Sequence, residues 1–174
     1  MDDRRVAELL AKQDIRDVMY RYCRGVDRRD YDLIRSCYHP DAVDNHGEYV
    51  GGVDGFIAHV EANLGRFERT MHFLGNILVE VDGSRARSES YAIAFHRLPE
   101  RGEKPERDYV VGLRYVDDFE ARDGAWRIAN RVCVFEWSRM DPVPAGSNRF
   151  GPTFVMGSPD GDDVVFAPRG ALPR

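Results

Sequence analysis

The chain predicts an α+β domain in which N-terminal helices pack on one face of a curved, mostly antiparallel sheet. Two observations carry this. Apolar residues recur at helical spacing only in the first third of the sequence, and every later element alternates like a strand. Turn signals at Gly83 and at Arg122-Asp123-Gly124 separate those later elements into hairpins.

The elements follow in order. Val6, Leu9, Leu10, Ile15, Val18, Met19, Tyr22 and Val26 form one broad stripe, predicting helix from about Asp3 to Val26 with a bend near Gln13-Asp14. Asp30 is placed to cap a second helix with Leu33, Ile34 and Cys37 on its inner face, and Pro40 stops it. A short β segment is expected around Val43 to His46, followed by a glycine turn. Val53 to Leu64 reads as a third helix, with Phe56, Ile57, Val60 and Leu64 on one side. Strands are expected over His72–Val81, Arg85–Leu98, Arg107–Phe119 and Ala125–Trp137. Residues 1–140 thus make one domain. The proline- and glycine-rich residues 141–174 are expected to form an extended arm, lying on that domain or on a neighbouring subunit.

With 174 residues, 43% of them hydrophobic, the chain can bury one sizeable core. Its formal net charge of −5 and interspersed arginines argue against a nucleic-acid partner, which needs a basic stripe. No run of about 18 apolar residues suggests a membrane span, and no leader-like stretch opens the chain, so a cytoplasmic location is expected. The three cysteines are odd in number and far apart, which reads as buried free thiols.

Chemistry is expected among the titratable groups that this layout brings inside the sheet. Asp27 ends the apolar helix, where the helix dipole disfavours a carboxylate, so another interaction must hold it. An imidazole is one candidate, and a surface pair with Arg28 or Arg29 is the plainer one. His72 opens an apolar strand, and His96 follows the small residues Ala92 and Ala94 at period two in the next strand. Histidine is suited to proton transfer near neutral pH, although a core histidine bonded to backbone fits either position as well. His46 lies beside a glycine turn. Nothing in the spacing fits a metal: there is no paired-histidine helix motif and no cysteine pair. Phosphate-loop and nucleophile-elbow motifs are also absent. A cofactor-free proton-transfer site is the remaining chemical reading.

The stretches Tyr22-Cys23-Arg24-Gly25-Val26-Asp27-Arg28-Arg29-Asp30-Tyr31, Tyr38-His39-Pro40-Asp41-Ala42, Met71-His72-Phe73-Leu74-Gly75-Asn76 and Arg122-Asp123-Gly124-Ala125-Trp126-Arg127-Ile128 resemble the landmarks of the SnoaL-like branch of the nuclear transport factor 2 superfamily. The resemblance covers most of residues 5–140 and implies a cone-shaped α+β barrel. Within the branch, the chain is most similar to the scytalone dehydratases, bile acid 7α-dehydratases and hexachlorocyclohexane dehydrochlorinases, cofactor-free lyases with an aspartate–histidine pair. That likeness implies Asp27 and His72 as the catalytic pair. It implies Tyr22, His96, His46 and Arg131 as residues that bind substrate, with no cofactor and no metal. Val26 departs from the pattern, standing where scytalone dehydratases carry a tyrosine.

The function expected on this basis is a dehydratase-type elimination on a small hydrophobic, cyclic or polyketide- or steroid-like molecule. Its pocket would be walled by residues such as Phe56, Phe73, Tyr91 and Trp137. Three alternatives stay open: an isomerase using the same proton abstraction, a non-catalytic binding domain, and a structural subunit of a larger oxygenase. The sheet face and the tail both favour a homo-oligomer, trimer or dimer.

Overall fold

In the computed structural model, which describes residues 2–144, 146–147 and 150–173, the chain opens with one long helix. Helix α1 (Asp3–Asp27) runs unbroken, starting where the Asp2 side chain accepts the Arg4 backbone N–H. The expected bend at Gln13-Asp14 is absent, and Gln13 instead donates to Asp17 one turn on. The buried stripe begins at Ala11, while Leu9 and Leu10 stay exposed. At about 1.5 Å per residue the helix overhangs the sheet that it covers, so its first turns find nothing to pack on.

Asp30 caps α2 (Tyr31–Ser36) by accepting the Leu33 N–H at 2.9 Å. The two helices meet closely because Gly25 has no side chain: a Cβ there would lie 2.8 Å from the Ile34 side chain. Arg29 turns the chain between them at φ 50°, held by its guanidinium donating to the Leu64 and Phe67 carbonyls at 3.2 and 2.8 Å. Those carbonyls lie at and beyond the end of α3 (Val53–Leu64), where a cation also complements the helix dipole.

The sheet comprises β1 (Tyr38–Asn45), β2 (Val50–Gly52), β3 (Arg69–Asp82), β4 (Arg85–Leu98), β5 (Arg107–Arg122) and β6 (Ala125–Pro142). Their order is β2-β1-β6-β5-β4-β3. All pairs are antiparallel except β1 with β6, which is parallel. The sheet is thus mixed and open, a cone-like wrap with free edges at β2 and β3. Pro40 lies inside β1 and is accommodated by a register break between Tyr38 and Val43, so its missing N–H interrupts no ladder bond. Register shifts at Leu74/Ile77, Gly112/Leu113 and Asp118/Phe119 bend the long strands around α1 and α3. The β5–β6 hairpin closes through Asp123 and Gly124, both at positive φ, as a type I′ turn demands.

Strand alternation sorts the side chains. Ala86, Ser88, Ser90, Ala92 and Ala94 of β4 are buried on the concave face, and so are Val111, Leu113, Tyr115, Asp117 and Phe119 of β5. Phe73, Tyr91, Ile93 and Trp137 are exposed on the other face. This corrects the expected pocket wall: of Phe56, Phe73, Tyr91 and Trp137, only Phe56 points inward, because the strand alternation, with the bulge beside Gly112, turns the other three to the outer face. Trp137 lies across Gly112, where a Cβ would come within 2.3 Å of the indole.

Beyond β6 the arm folds back onto the end of α1. Asp163 anchors it, accepting the Ser158 and Val165 N–H groups at 2.8 and 2.9 Å and pairing with Arg28 at 3.2 Å. The Arg24 guanidinium lies 5.5 Å from the centre of the Phe166 ring. No helix among the described residues is long and apolar enough to cross a membrane.

Candidate functional site

Asp27 is the last residue of α1, and the edge strand β3 crosses directly beside it. Three donors from that strand converge on its carboxylate. The His72 ring Nδ1–H donates to Oδ1 at 2.7 Å, the His72 backbone N–H to Oδ2 at 2.8 Å, and the Thr70 hydroxyl to Oδ1 at 3.0 Å. These bonds offset the unfavourable helix terminus. Burial alone would raise the Asp27 carboxyl, but the hydrogen bonds and charge of His72, with Thr70, hold it below its ordinary value. With Nδ1–H facing the carboxylate, Nε2 of His72 presents a lone pair. Both side chains are largely buried, 8% exposed for His72 and 13% for Asp27.

Strand register puts His96 next to this pair, since Thr70 faces His96 and His72 faces Ala94. The two imidazoles meet edge to face with centroids 5.6 Å apart, and His96 packs on Phe67 at 4.6 Å. Burial first, and then the nearby His72, pull the His96 pKa down to about 4. His96 is therefore neutral at neutral pH. Its Nδ1 lies 3.3 Å from the Tyr109 carbonyl, which takes a proton donor and leaves Nε2 as an acceptor. Beside the histidines the concave face carries Ala92, Ala94, Val111 and Leu113. Asp27 also borders two clefts of about 330 and 410 Å³, the first reaching Val165 of the arm and the second Phe150 and Gly157 to Pro159.

Deeper in the cone lies a second cluster. Arg131 is fully buried and makes a two-pronged ion pair with Asp117 at 2.7 and 2.8 Å. It also donates to the Tyr38 hydroxyl at 3.2 Å. Its guanidinium lies between the rings of Tyr22 and Tyr115, 4.1 and 4.4 Å from their centres. Although burial opposes its charge, Asp117 and Tyr38 hold Arg131 protonated. Tyr22 meets Tyr38 and Tyr115 edge to face, and burial raises its phenol well above the usual range, so it remains a donor. The six candidate residues thus divide. Asp27, His72 and His96 stand together, Tyr22 and Arg131 share the floor, and His46 lies on the far side of the sheet's inner surface.

His46 makes contacts that the sequence did not foretell. Its Nδ1 lies 3.1 Å from Oδ1 of Asp44 and 3.2 Å from the thiol of Cys133, and its ring packs 5.0 Å from Phe56. Asp44 is fully buried, and its Oδ2 accepts the Tyr38 hydroxyl at 2.6 Å. Asp44 and His46 are two apart, the spacing that puts side chains on one face of a strand, and that signal was available. Cys133 is 87 residues away from His46, and only the β1–β6 pairing brings it in.

Helices packed on an open, cone-like mixed sheet give this chain the architecture of the nuclear transport factor 2 superfamily. The chain belongs to the SnoaL-like domain family, which matches residues 7–132. It is 32% identical over 131 residues to the uncharacterized protein Rv2910c of Mycobacterium tuberculosis, covering 73% of this chain and 86% of that one. Among solved structures, a scytalone dehydratase-like protein of Novosphingobium aromaticivorans superposes with a TM-score of 0.69 at 22% identity, covering 82% of this chain and 93% of that one. The hexachlorocyclohexane dehydrochlorinase LinA-type3 of Novosphingobium barchaimii superposes with a TM-score of 0.67 at 22% identity, covering 87% of this chain and all of that one. At these identities the two structures establish a shared fold.

Proposed function

We propose that this protein is a cofactor-independent lyase that eliminates water from a small hydrophobic cyclic molecule, with His72 as the base. The observation that carries the reading is the Asp27–His72 bond at 2.7 Å, which turns the lone pair of Nε2 away from the carboxylate. His72 takes a proton from a carbon next to a carbonyl or conjugated ring, and Asp27 stabilises the imidazolium that forms. The electron pair released becomes the new double bond as the C–O bond breaks.

His96, neutral and with an acceptor at Nε2, holds the substrate hydroxyl by receiving its hydrogen bond. That places the departing oxygen beside the His72 imidazolium, which returns the proton to it and releases water. Tyr22, held protonated, is the donor suited to a developing enolate oxygen. The small and aliphatic side chains beside the histidines suit an apolar ring system. The dehydratase-like and dehydrochlorinase neighbours in fold support elimination over other chemistries.

The test is a panel of cyclic β-hydroxy ketones followed by absorbance of the new conjugated bond and by mass spectrometry. The expected result is loss of one water, with kcat falling about 10²–10⁴-fold in His72→Gln. A product of unchanged mass would assign an isomerase. Turnover that persists undiminished in His72→Gln would remove His72 from the chemistry, and tight binding without turnover would assign a binding domain.

A further inference from the structure

Beyond that reaction, we infer that Asp44, His46 and Cys133 form a binding site for a zinc-type divalent cation. The three donors are an oxygen, a nitrogen and a sulfur, and all lie within 4.8 Å of one another. This is a mixed set that zinc accepts and that hard cations such as magnesium do not. The spacing fits as well. Around a tetrahedral zinc, nitrogen and oxygen ligands sit about 3.3 Å apart, and nitrogen and sulfur about 3.5 Å apart. The observed separations from His46 Nδ1 are 3.1 Å to Asp44 and 3.2 Å to Cys133, each within a few tenths of an ångström of those spacings.

A second observation points the same way. The Asp44 carboxylate is fully buried, and its polar partners among the described residues are the Tyr38 hydroxyl and the His46 ring. The nearby guanidinium of Arg131 is committed to Asp117. With Arg131 committed elsewhere, the Asp44 carboxylate is placed to compensate a bound cation. A divalent ion bound by the carboxylate and a thiolate is neutralised by them. Tyr38 then acts as the outer-shell partner that orients the ligating carboxylate. Zinc takes cysteine as the thiolate, so binding releases the Cys133 proton and strengthens as pH rises. Three protein ligands leave a fourth position, and the His46 side chain is 24% exposed, so the site is reachable.

The experiment uses the full chain, stripped with a chelator and titrated with cobalt(II) chloride under reducing conditions. The expected result is one equivalent bound, with a thiolate-to-cobalt charge-transfer band that zinc abolishes by displacement and that Cys133→Ser lacks. Tyr38→Phe should keep the band and weaken affinity about 10–100-fold. His46→Gln should reduce affinity, with circular dichroism confirming that each variant folds. No charge-transfer band at saturating cobalt in the unmodified chain would overturn the proposal. A band that survives in Cys133→Ser would overturn it equally. No substrate enters this assay and neither Asp27 nor His72 is touched, so either outcome leaves the elimination reading to its own test.

Discussion

Replacing His96 by asparagine should remove a large acid sensitivity of folding. In the folded chain His96 titrates at about 4, against an ordinary value of 6.5. Between those values the unfolded chain binds the proton and the folded chain does not, so stability falls as pH drops through that window. A shift of roughly 2.5 units corresponds to about 3 kcal/mol, since each unit is worth about 1.4 kcal/mol. Asparagine cannot titrate there, and its amide retains a donor for the Tyr109 carbonyl that His96 now faces at 3.3 Å. Urea unfolding of both chains from pH 7.5 to 4 gives two stability curves. Their difference isolates His96 from the carboxylates, whose contributions are common to both. The expectation is that the variant gains on the parent by about 3 kcal/mol over the range, with most of the change below pH 6.5. A difference curve that stays flat within about 0.5 kcal/mol would show that His96 is solvated rather than desolvated, and the acceptor role assigned to its Nε2 would fall with it.

Two further outcomes follow from the buried polar groups. Arg131→Met should cost about 3–5 kcal/mol in denaturant unfolding because it strands Asp117 in the core, whereas the double change with Asp117→Leu should recover most of that loss. Equal losses in the single and double variants would contradict the ion-pair reading. Ser90→Ala should be neutral or stabilising by up to about 1 kcal/mol, since the Ser90 hydroxyl is buried with no hydrogen-bond partner among the described residues. A melting temperature that falls clearly below the parent's would mean that the hydroxyl has a partner, such as a buried water.

Local pattern carried most of the fold. The helix over Val53–Leu64 and the strand over Arg85–Leu98 match the periodicity residue for residue, because glycine and polar turns bracket them on both sides. Strand ends without such brackets were underestimated, and β6 runs on to Pro142 because it remains paired with β5 throughout. The exposed positions of Leu9 and Leu10 were illegible for a different reason. A helical stripe tells which face is apolar, not how much sheet lies beneath it. In the site, Asp27 and His72 could be singled out by type and position, one a carboxylate at the wrong end of a helix, the other an imidazole in an apolar strand. Their meeting depends on how α1 crosses β3, which no spacing encodes. Asp44 carries a local mark, its spacing of two from His46, whereas Cys133 carries none, because only the β1–β6 pairing brings a core thiol to that face. The orientation of Phe73, Tyr91 and Trp137 was misjudged because hydrophobic character was taken for inward direction in strands with apolar residues on both faces.

The charged pillar of Arg131 and Asp117 has a consequence for how this scaffold can change. The interior here is filled by a guanidinium between two aromatic rings and its carboxylate partner, not by interlocking hydrocarbon. Each member stands on a different strand, and no backbone hydrogen bond depends on either side chain. A shorter, uncharged pair at these two positions would lower the floor beneath Tyr22 while leaving every strand in register. The filling of the interior is thereby separated from sheet geometry, and a lineage built on this frame could change it by a coordinated swap at two sites.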